Sequence, residues 1–100
     1  MALRITLEEN AETMVLKLEG RLAGPWVAEL DRLWAQASPE RGGRKLALDL
    51  RQTTYADAKG IEKLRTIYRE TRADLLTSSP WTQYLAEEVQ RKETEPQEEV

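Results

Sequence analysis

Apolar residues occupy every second position in three separate segments, residues 3–7, 14–18 and 46–50. This period is typical of strands that bury one face, because successive side chains of a strand point to opposite sides of the sheet. We therefore predict strands near residues 3–7, 13–19 and 45–50. Parallel strands that are covered on both faces are apolar at nearly every position, so the alternation also predicts a sheet with only one thickly covered face.

Three further stretches carry apolar residues at helical spacing. The first stripe comprises Trp26, Val27, Leu30, Leu33, Trp34 and Ala37. The second comprises Ile61, Leu64, Ile67 and Tyr68, and the third comprises Trp81, Tyr84, Leu85 and Val89. We interpret the three tryptophans as core residues, since each belongs to one of these stripes.

Each predicted helix begins beside a residue that favours a helix start. Pro25 suits the first turn of the first helix, Asp57 suits the N-cap of the second, and the Ser79-Pro80 pair suits the start of the third. Ser38-Pro39 and Gly42-Gly43 are expected to end the first helix and turn the chain. The sequence thus predicts three amphipathic helices that alternate with the later strands.

The predicted order is ββαβαβα, with a short fourth strand near residues 73–77. Each strand–helix–strand step implies a parallel pair with a right-handed crossover, while the first two strands form an antiparallel hairpin. The fold class is therefore α/β, with a four-stranded mixed sheet and all helices on its leucine face. The opposite face can be solvated, covered by a loop or in contact with another chain; we favour solvation, with Asp49 pointing away from the core. Its residues are Arg4, Thr6, Val15, Lys17, Glu19, Ala47 and Asp49.

The chain has 100 residues and contains neither cysteine nor histidine. It cannot form a disulfide, a thiolate nucleophile, a serine–histidine–aspartate triad or a usual zinc site, so we expect no catalytic residues, no metal and no cofactor. No apolar run approaches the roughly 18 residues of a membrane span, and the first residues lack the apolar stretch of a signal peptide. We therefore expect a cytoplasmic protein that does not insert into membranes.

Charge is unevenly distributed, with six glutamates against two basic residues after residue 86. The rest of the chain is close to neutral and lacks the dense cationic surface that phosphate-backbone binding needs, which disfavours a nucleic-acid partner. We predict one domain over residues 1–91 and an acidic, disordered tail over residues 92–100, because the tail has almost no apolar residues to bury.

Asp49 and Asp57 flank the region beyond a strand end where open α/β sheets commonly bind ligands. Such a pair could bind Mg²⁺ or act as acid and base. We favour structural roles, since Asp49 lies on the polar strand face and Asp57 suits a helix N-cap. No glycine-rich phosphate-binding motif occurs in the sequence, which leaves a nucleotide site without motif support.

Three segments together resemble the STAS domain family, which includes the bacterial anti-sigma-factor antagonists. They are LKLEGRL at residues 16–22, LALDL at residues 46–50 and DAKGI at residues 57–61. The resemblance spans roughly residues 3–90 and rests on the order and spacing of the three motifs. It implies a short β-α superhelix with the helices on one side of the sheet.

The resemblance also implies a regulatory position. In phosphorylation-switched members of the family, a partner anti-sigma factor that is also a kinase phosphorylates a serine in the turn before a helix. A helix N-terminus suits that phosphate, because its free amides and its dipole both favour negative charge. The matching position here is Ala58, which has no hydroxyl, so we expect no switch of this kind.

We expect a non-enzymatic protein-interaction module that resembles an anti-sigma-factor antagonist, with an anti-sigma factor or a kinase-type regulator as its partner. The contact surface is predicted at a turn over residues 53–60, with Lys59 pointing outward beside Tyr55. The residues assigned to it are Thr53, Thr54, Tyr55, Asp57, Ala58, Lys59 and Gly60. Resemblance to other STAS proteins leaves two alternatives open, an accessory subunit of a transport ATPase and a nucleotide-binding domain. The chain itself is expected to be a monomer or a weak homodimer.

Overall fold

The computed structural model describes residues 2–91, so the predicted acidic tail lies outside the described residues. The strands are β1 (Leu3–Glu9), β2 (Thr13–Leu22), β3 (Lys45–Ala56) and β4 (Asp74–Leu76). The helices are α1 (Pro25–Arg41), α2 (Ala58–Thr71) and α3 (Pro80–Gln90). This order confirms the predicted α/β class.

The four strands form one mixed sheet in the order β1-β2-β3-β4. β1 pairs with β2 antiparallel, and β3 pairs with both β2 and β4 in parallel. Both parallel crossovers advance in the same direction across the sheet, so right-handed connections place α1 and α2 on the same face. α3 packs against α2 and β3, which completes a helical layer on that face.

The leucine face of the sheet forms the core, as the alternation predicts. Leu16, Leu18, Leu48 and Leu50 are fully buried there, together with the apolar stripes of the helices. Asp49 lies on the opposite face but is only 4% exposed, so the prediction that it is solvated is wrong. The Arg51 side chain covers it by donating Nε to Oδ1 and Nη2 to Oδ2, both at 2.9 Å.

β3 is twice as long as predicted, and its second half departs from regular pairing. Lys17 pairs with Asp49, but Glu19 already pairs with Gln52, so β3 contains an extra residue. A second extra residue follows before Tyr55. Such bulges bend a strand and change the direction of its side chains. The predicted turn over residues 53–60 is therefore wrong for residues 53–56, which belong to the strand.

Of the two pairs expected to end α1, Ser38-Pro39 lies inside the helix, which continues to Arg41, whereas Gly42-Gly43 directly follows its end. The end of the helix is stabilised by Arg44, which directly precedes β3. Its guanidinium donates to the carbonyl oxygens of Arg41 at 3.1 Å and Glu40 at 2.7 Å. These are orphan carbonyls that a helix C-terminus otherwise leaves without partners.

The starts of α2 and α3 confirm the predicted caps. The Ser79 hydroxyl accepts a hydrogen bond from the backbone N–H of Thr82, and the Thr82 side chain accepts one from the backbone N–H of Ser79, which makes a capping box. Asp57 caps α2 in the same general manner. No helix within residues 2–91 is long and apolar enough to cross a membrane.

Candidate functional site

Asp57 is the single residue between β3 and α2, and both oxygens of its carboxylate are hydrogen-bonded. Oδ1 accepts from the backbone N–H of Gly60 at 2.7 Å, and Oδ2 accepts from the backbone N–H of Gly24 at 3.1 Å. The bond from Gly24 and then that from Gly60 lower the pKa of Asp57. One side chain therefore connects the starts of α1 and α2.

The first turn of α2 presses closely on the end of β2. A Cβ atom at Gly60 would lie 2.6 Å from the carbonyl oxygen of Leu22 and 2.9 Å from its Cγ atom, which is closer than real Cβ atoms approach such neighbours. The backbone N–H of Asp57 also donates to the Leu22 carbonyl at 3.1 Å. The backbone of residues 57–60 is thus held against Leu22 of β2 at both of its ends.

Four of the predicted site residues are exposed around this fixed backbone, namely Thr54, Tyr55, Ala58 and Lys59. Tyr55 is 41% exposed, and the Arg21 guanidinium lies over its ring at 4.4 Å from the centroid. The charges of Lys59 and Arg21 both help to lower the pKa of Asp57, so both cations lie near its carboxylate. We call Arg21, Thr54, Tyr55, Ala58 and Lys59 the β3–α2 patch.

Two of the predicted contact residues, Thr53 and Gly60, are buried. Gly60 lies in the first turn of α2 and faces Leu22 of β2. Thr53 is 1% exposed, and its hydroxyl donates to the Leu18 carbonyl at 2.9 Å. Asp57 is half-buried and uses both oxygens internally. These three residues support the β3–α2 patch and do not form its surface.

Arg21 is the residue that the sequence prediction missed. Lys59 was expected to be the basic neighbour of Tyr55, but the structure places Arg21 there because β2 and β3 pair these two positions. A parallel alignment of LKLEGRL with β3 could have found it, provided that the two bulges had been known. Without them, the pairing of residues 17 and 49 extrapolates from Arg21 to Thr53 instead of Tyr55.

Trp81 and Tyr84 form an aromatic pair on α3, next to the buried Thr53 that lies beneath the patch. Trp81 donates its indole N–H to the carbonyl oxygen of Thr53 at 2.7 Å, and its ring centroid lies 6.0 Å from that of Tyr84. Tyr84 is exposed, whereas Trp81 is half-buried. The end of β3 is therefore attached to the start of α3 as well as to α2.

An open groove of about 430 Å³ runs beside the patch, between the starts of α1 and α2. Its lining residues are Gly24, Val27, Ala28, Asp31, Lys59, Glu62, Lys63 and Thr66. Lys63 forms an ion pair with Asp31 across it. The charges on its walls are balanced, with Asp31 and Glu62 against Lys59 and Lys63, so its surface favours neither a strong anion nor a strong cation.

Neither carboxylate considered for chemistry is available to a ligand. Asp57 caps α2 and accepts the backbone N–H of Gly24, and Asp49 is bound by Arg51, whose side-chain hydrogen bond is the main cause of the lowered pKa of Asp49. Residues 2–91 contain no group of three or more acidic side chains that could hold a metal ion. The arrangement therefore offers a shaped, partly cationic surface, and its first helical position, Ala58, has no hydroxyl.

Comparison with known proteins adds no relative. No protein-family model matches the chain, and no curated protein sequence matches it.

Proposed function

We propose that the protein is a non-enzymatic interaction module that binds a protein partner through the β3–α2 patch. The observation that carries the proposal is the exposed Arg21–Tyr55 pair, which stands on a backbone fixed by Asp57. Tyrosine and arginine, together with tryptophan, are enriched among the residues that contribute most to binding at protein interfaces. The resemblance to anti-sigma-factor antagonists supports an anti-sigma factor or a related regulator as the partner, and a cytoplasmic place of action.

The rigid support matters for affinity as well as for shape. Association costs free energy for every loop and side chain that becomes ordered on binding. The patch has little left to order, because Asp57 ties its backbone to α1 and α2 while Trp81 ties the end of β3 to α3. A five-residue surface that is already fixed before binding suits a modest and reversible protein contact.

In our proposal, this contact is not regulated by the serine phosphorylation that switches some STAS proteins. Ala58 stands at the first position of α2, where the phosphate of a switched member would meet the helix dipole. Thr54 is exposed nearby but lies in β3, away from the free amides of a helix start. A kinase-type partner would therefore bind without phosphorylating position 58.

Affinity capture from the native cell tests the proposal. The wild-type chain should retain a specific protein, identified by mass spectrometry, whereas Tyr55→Ala and Lys59→Glu should lose it while keeping wild-type melting curves. Lys17→Glu on the helix-free face is the control and should retain the protein. Loss with Lys17→Glu alone would show that the partner uses the other face of the sheet.

The identity of the captured protein and a nucleotide titration separate the alternatives. If the captured protein is a regulator of transcription, the chain has an antagonist role. If it is a transport ATPase in a stable complex, the chain is an accessory subunit. Calorimetry with ATP and with GTP should show no binding, because the groove beside the patch lacks an unpaired cationic cluster for phosphates. Saturable heat from either nucleotide would contradict that expectation.

A further inference from the structure

The two edges of the sheet are built differently. β4 is only three residues long and contributes three pairs to β3, which leaves little edge for another strand. β1 is seven residues long and pairs with β2 in an unbroken register from Leu3 to Glu9. It carries no proline, no lysine and no bulge, which are among the features that protect an edge strand, and its charged residues are of both signs. β1 is thus the open edge of the described fold.

The backbone groups on this open edge can be assigned residue by residue. The N–H of Asn10 donates to the carbonyl oxygen of Thr13 at 2.9 Å, so that pair is of the hydrogen-bonded type. In an antiparallel ladder this type recurs at every second residue. The even-numbered residues of β1 therefore point their N–H and C=O groups at β2. Leu3, Ile5, Leu7 and Glu9 point theirs outward.

The side chains along β1 complement a second β1 that runs antiparallel to it. If a twofold axis passes through Thr6, Arg4 of one copy lies opposite Glu8 of the other, and the same contact occurs twice. Both side chains are exposed, and neither takes part in an ion pair within the described chain. Opposite charges placed directly across two strands stabilise their pairing.

The other face of the same pairing is apolar. The twofold axis through Thr6 brings Ile5 of one copy opposite Leu7 of the other, and these two residues are half-buried beside the core. A groove of about 250 Å³ lies between Leu7 and α1, lined also by Leu33 and Ala37. The second copy's Ile5 would extend the core of the first toward this groove. Ile5 and Leu7 have outward backbone groups, so they form the hydrogen-bonded pairs.

We propose that the chain forms a homodimer through β1, in which two copies join into a continuous eight-stranded sheet about a twofold axis at Thr6. This interface lies on β1. The β3–α2 patch lies at the ends of β2 and β3, at the opposite end of the sheet from the β1–β2 turn. Both copies keep that patch exposed. A dimer therefore presents two partner sites and does not compete with partner binding.

Charge reversal with full-length chains tests the pairing. Arg4→Glu and Glu8→Arg each place like charges opposite one another twice, so each variant alone should dimerise about tenfold more weakly than wild type in analytical ultracentrifugation. An equimolar mixture of the two should form a heterodimer, because both facing positions are then oppositely charged. Glu87→Arg, on the exposed face of α3, makes the same change of net charge as Glu8→Arg and should leave the dimer unchanged.

A single thiol tests the register, because the chain contains no cysteine. Thr6→Cys places two thiols in a non-hydrogen-bonded pair, where the Cα atoms are about 4.5 Å apart and a disulfide can form. Arg4→Cys is the control, because its two thiols would be four residues apart along the strands, or about 13 Å. Mild oxidation should link Thr6→Cys into dimers and leave Arg4→Cys monomeric under denaturing conditions.

Several results would overturn the proposal. A wild-type chain that stays monomeric at about 1 mM would overturn it. The β1 edge would then remain as a site for an extended segment of another protein. Equal dimerisation of wild type and both charge variants would exclude the Arg4–Glu8 contact. Faster crosslinking of Arg4→Cys than of Thr6→Cys would exclude the twofold axis at Thr6. None of these outcomes depends on whether the β3–α2 patch binds a partner.

Discussion

The two halves of β3 have different structural roles. In the first half, Lys45–Leu50, the residues up to Asp49 pair in register with β2 and the leucines are fully buried. In the second half, residues 51–56, two extra residues break the register and Tyr55 becomes exposed. The comparison shows how one strand can contribute to the core and then, after two bulges, hold a surface patch in place.

Removing a leucine from the first half should have the largest effect on stability. Leu48 is fully buried in the core. Leu48→Ala therefore leaves a cavity and should lower the free energy of unfolding by about 2–5 kcal/mol. Gln52→Ala, at an exposed position of the second half, should cost less than about 0.5 kcal/mol. Urea unfolding of both variants measures the difference, and similar losses would contradict this division of β3.

Adding one methyl group under the patch should have the next largest effect. Gly60→Ala brings a Cβ atom into the Leu22 backbone and should cost about 1–3 kcal/mol, because α2 must move away from β2. Gly43→Ala is the matched control, since a Cβ atom there meets no atom within 4 Å. The control should be neutral or slightly stabilising. A neutral Gly60→Ala variant in thermal unfolding would show that the contact yields easily.

Loss of the Asp57 cap should have a smaller, pH-dependent effect. Asp57→Ala removes the bonds from Gly24 and Gly60 and should cost about 0.5–2 kcal/mol at neutral pH. The pKa of Asp57 is lowered in the folded chain, so its contribution is present above the ordinary aspartate value of about 4. That contribution is lost as the pH falls through the lowered value.

Unfolding measured from pH 7 to pH 2 checks this sign. The difference between wild type and Asp57→Ala should be constant above about pH 5 and should shrink toward zero in acid. Asp74→Ala, an exposed aspartate on β4 at 3.7 Å from Lys45, provides the comparison for a surface ion pair worth at most about 1 kcal/mol. A difference for Asp57→Ala that grows in acid would contradict the cap.

The first half of β3 could be predicted from sequence, and the second half could not, for a physical reason. Alternation reports which face of a regular strand is buried, and it holds up to Leu50. Each bulge inserts one residue and moves the next side chains to other directions. Thr53 and Ala56 are therefore buried in a stretch that looks polar, and the same stretch is easily interpreted as a turn.

Local patterns also predicted helix starts better than helix ends. Asp57 and Ser79 are caps because their side chains bond within their own first turn, and such bonds follow from sequence spacing. The end of α1 depends on Arg44, which reaches back to Glu40 and Arg41 and also to the Asn10 carbonyl. The second bond of Asp57, to Gly24, likewise joins residues 33 positions apart, which no local pattern reveals.

The affinity of Tyr55→Ala for the captured partner, measured by calorimetry together with its urea unfolding, tests the central claim most directly. The claim predicts that the Kd rises at least about tenfold, equivalent to 1.4 kcal/mol, while the free energy of unfolding changes by less than about 1 kcal/mol. Lys59→Glu should show the same separation of binding from stability. Unchanged affinity in both variants, with affinity lost in Lys17→Glu, would contradict the account and assign recognition to the helix-free face of the sheet.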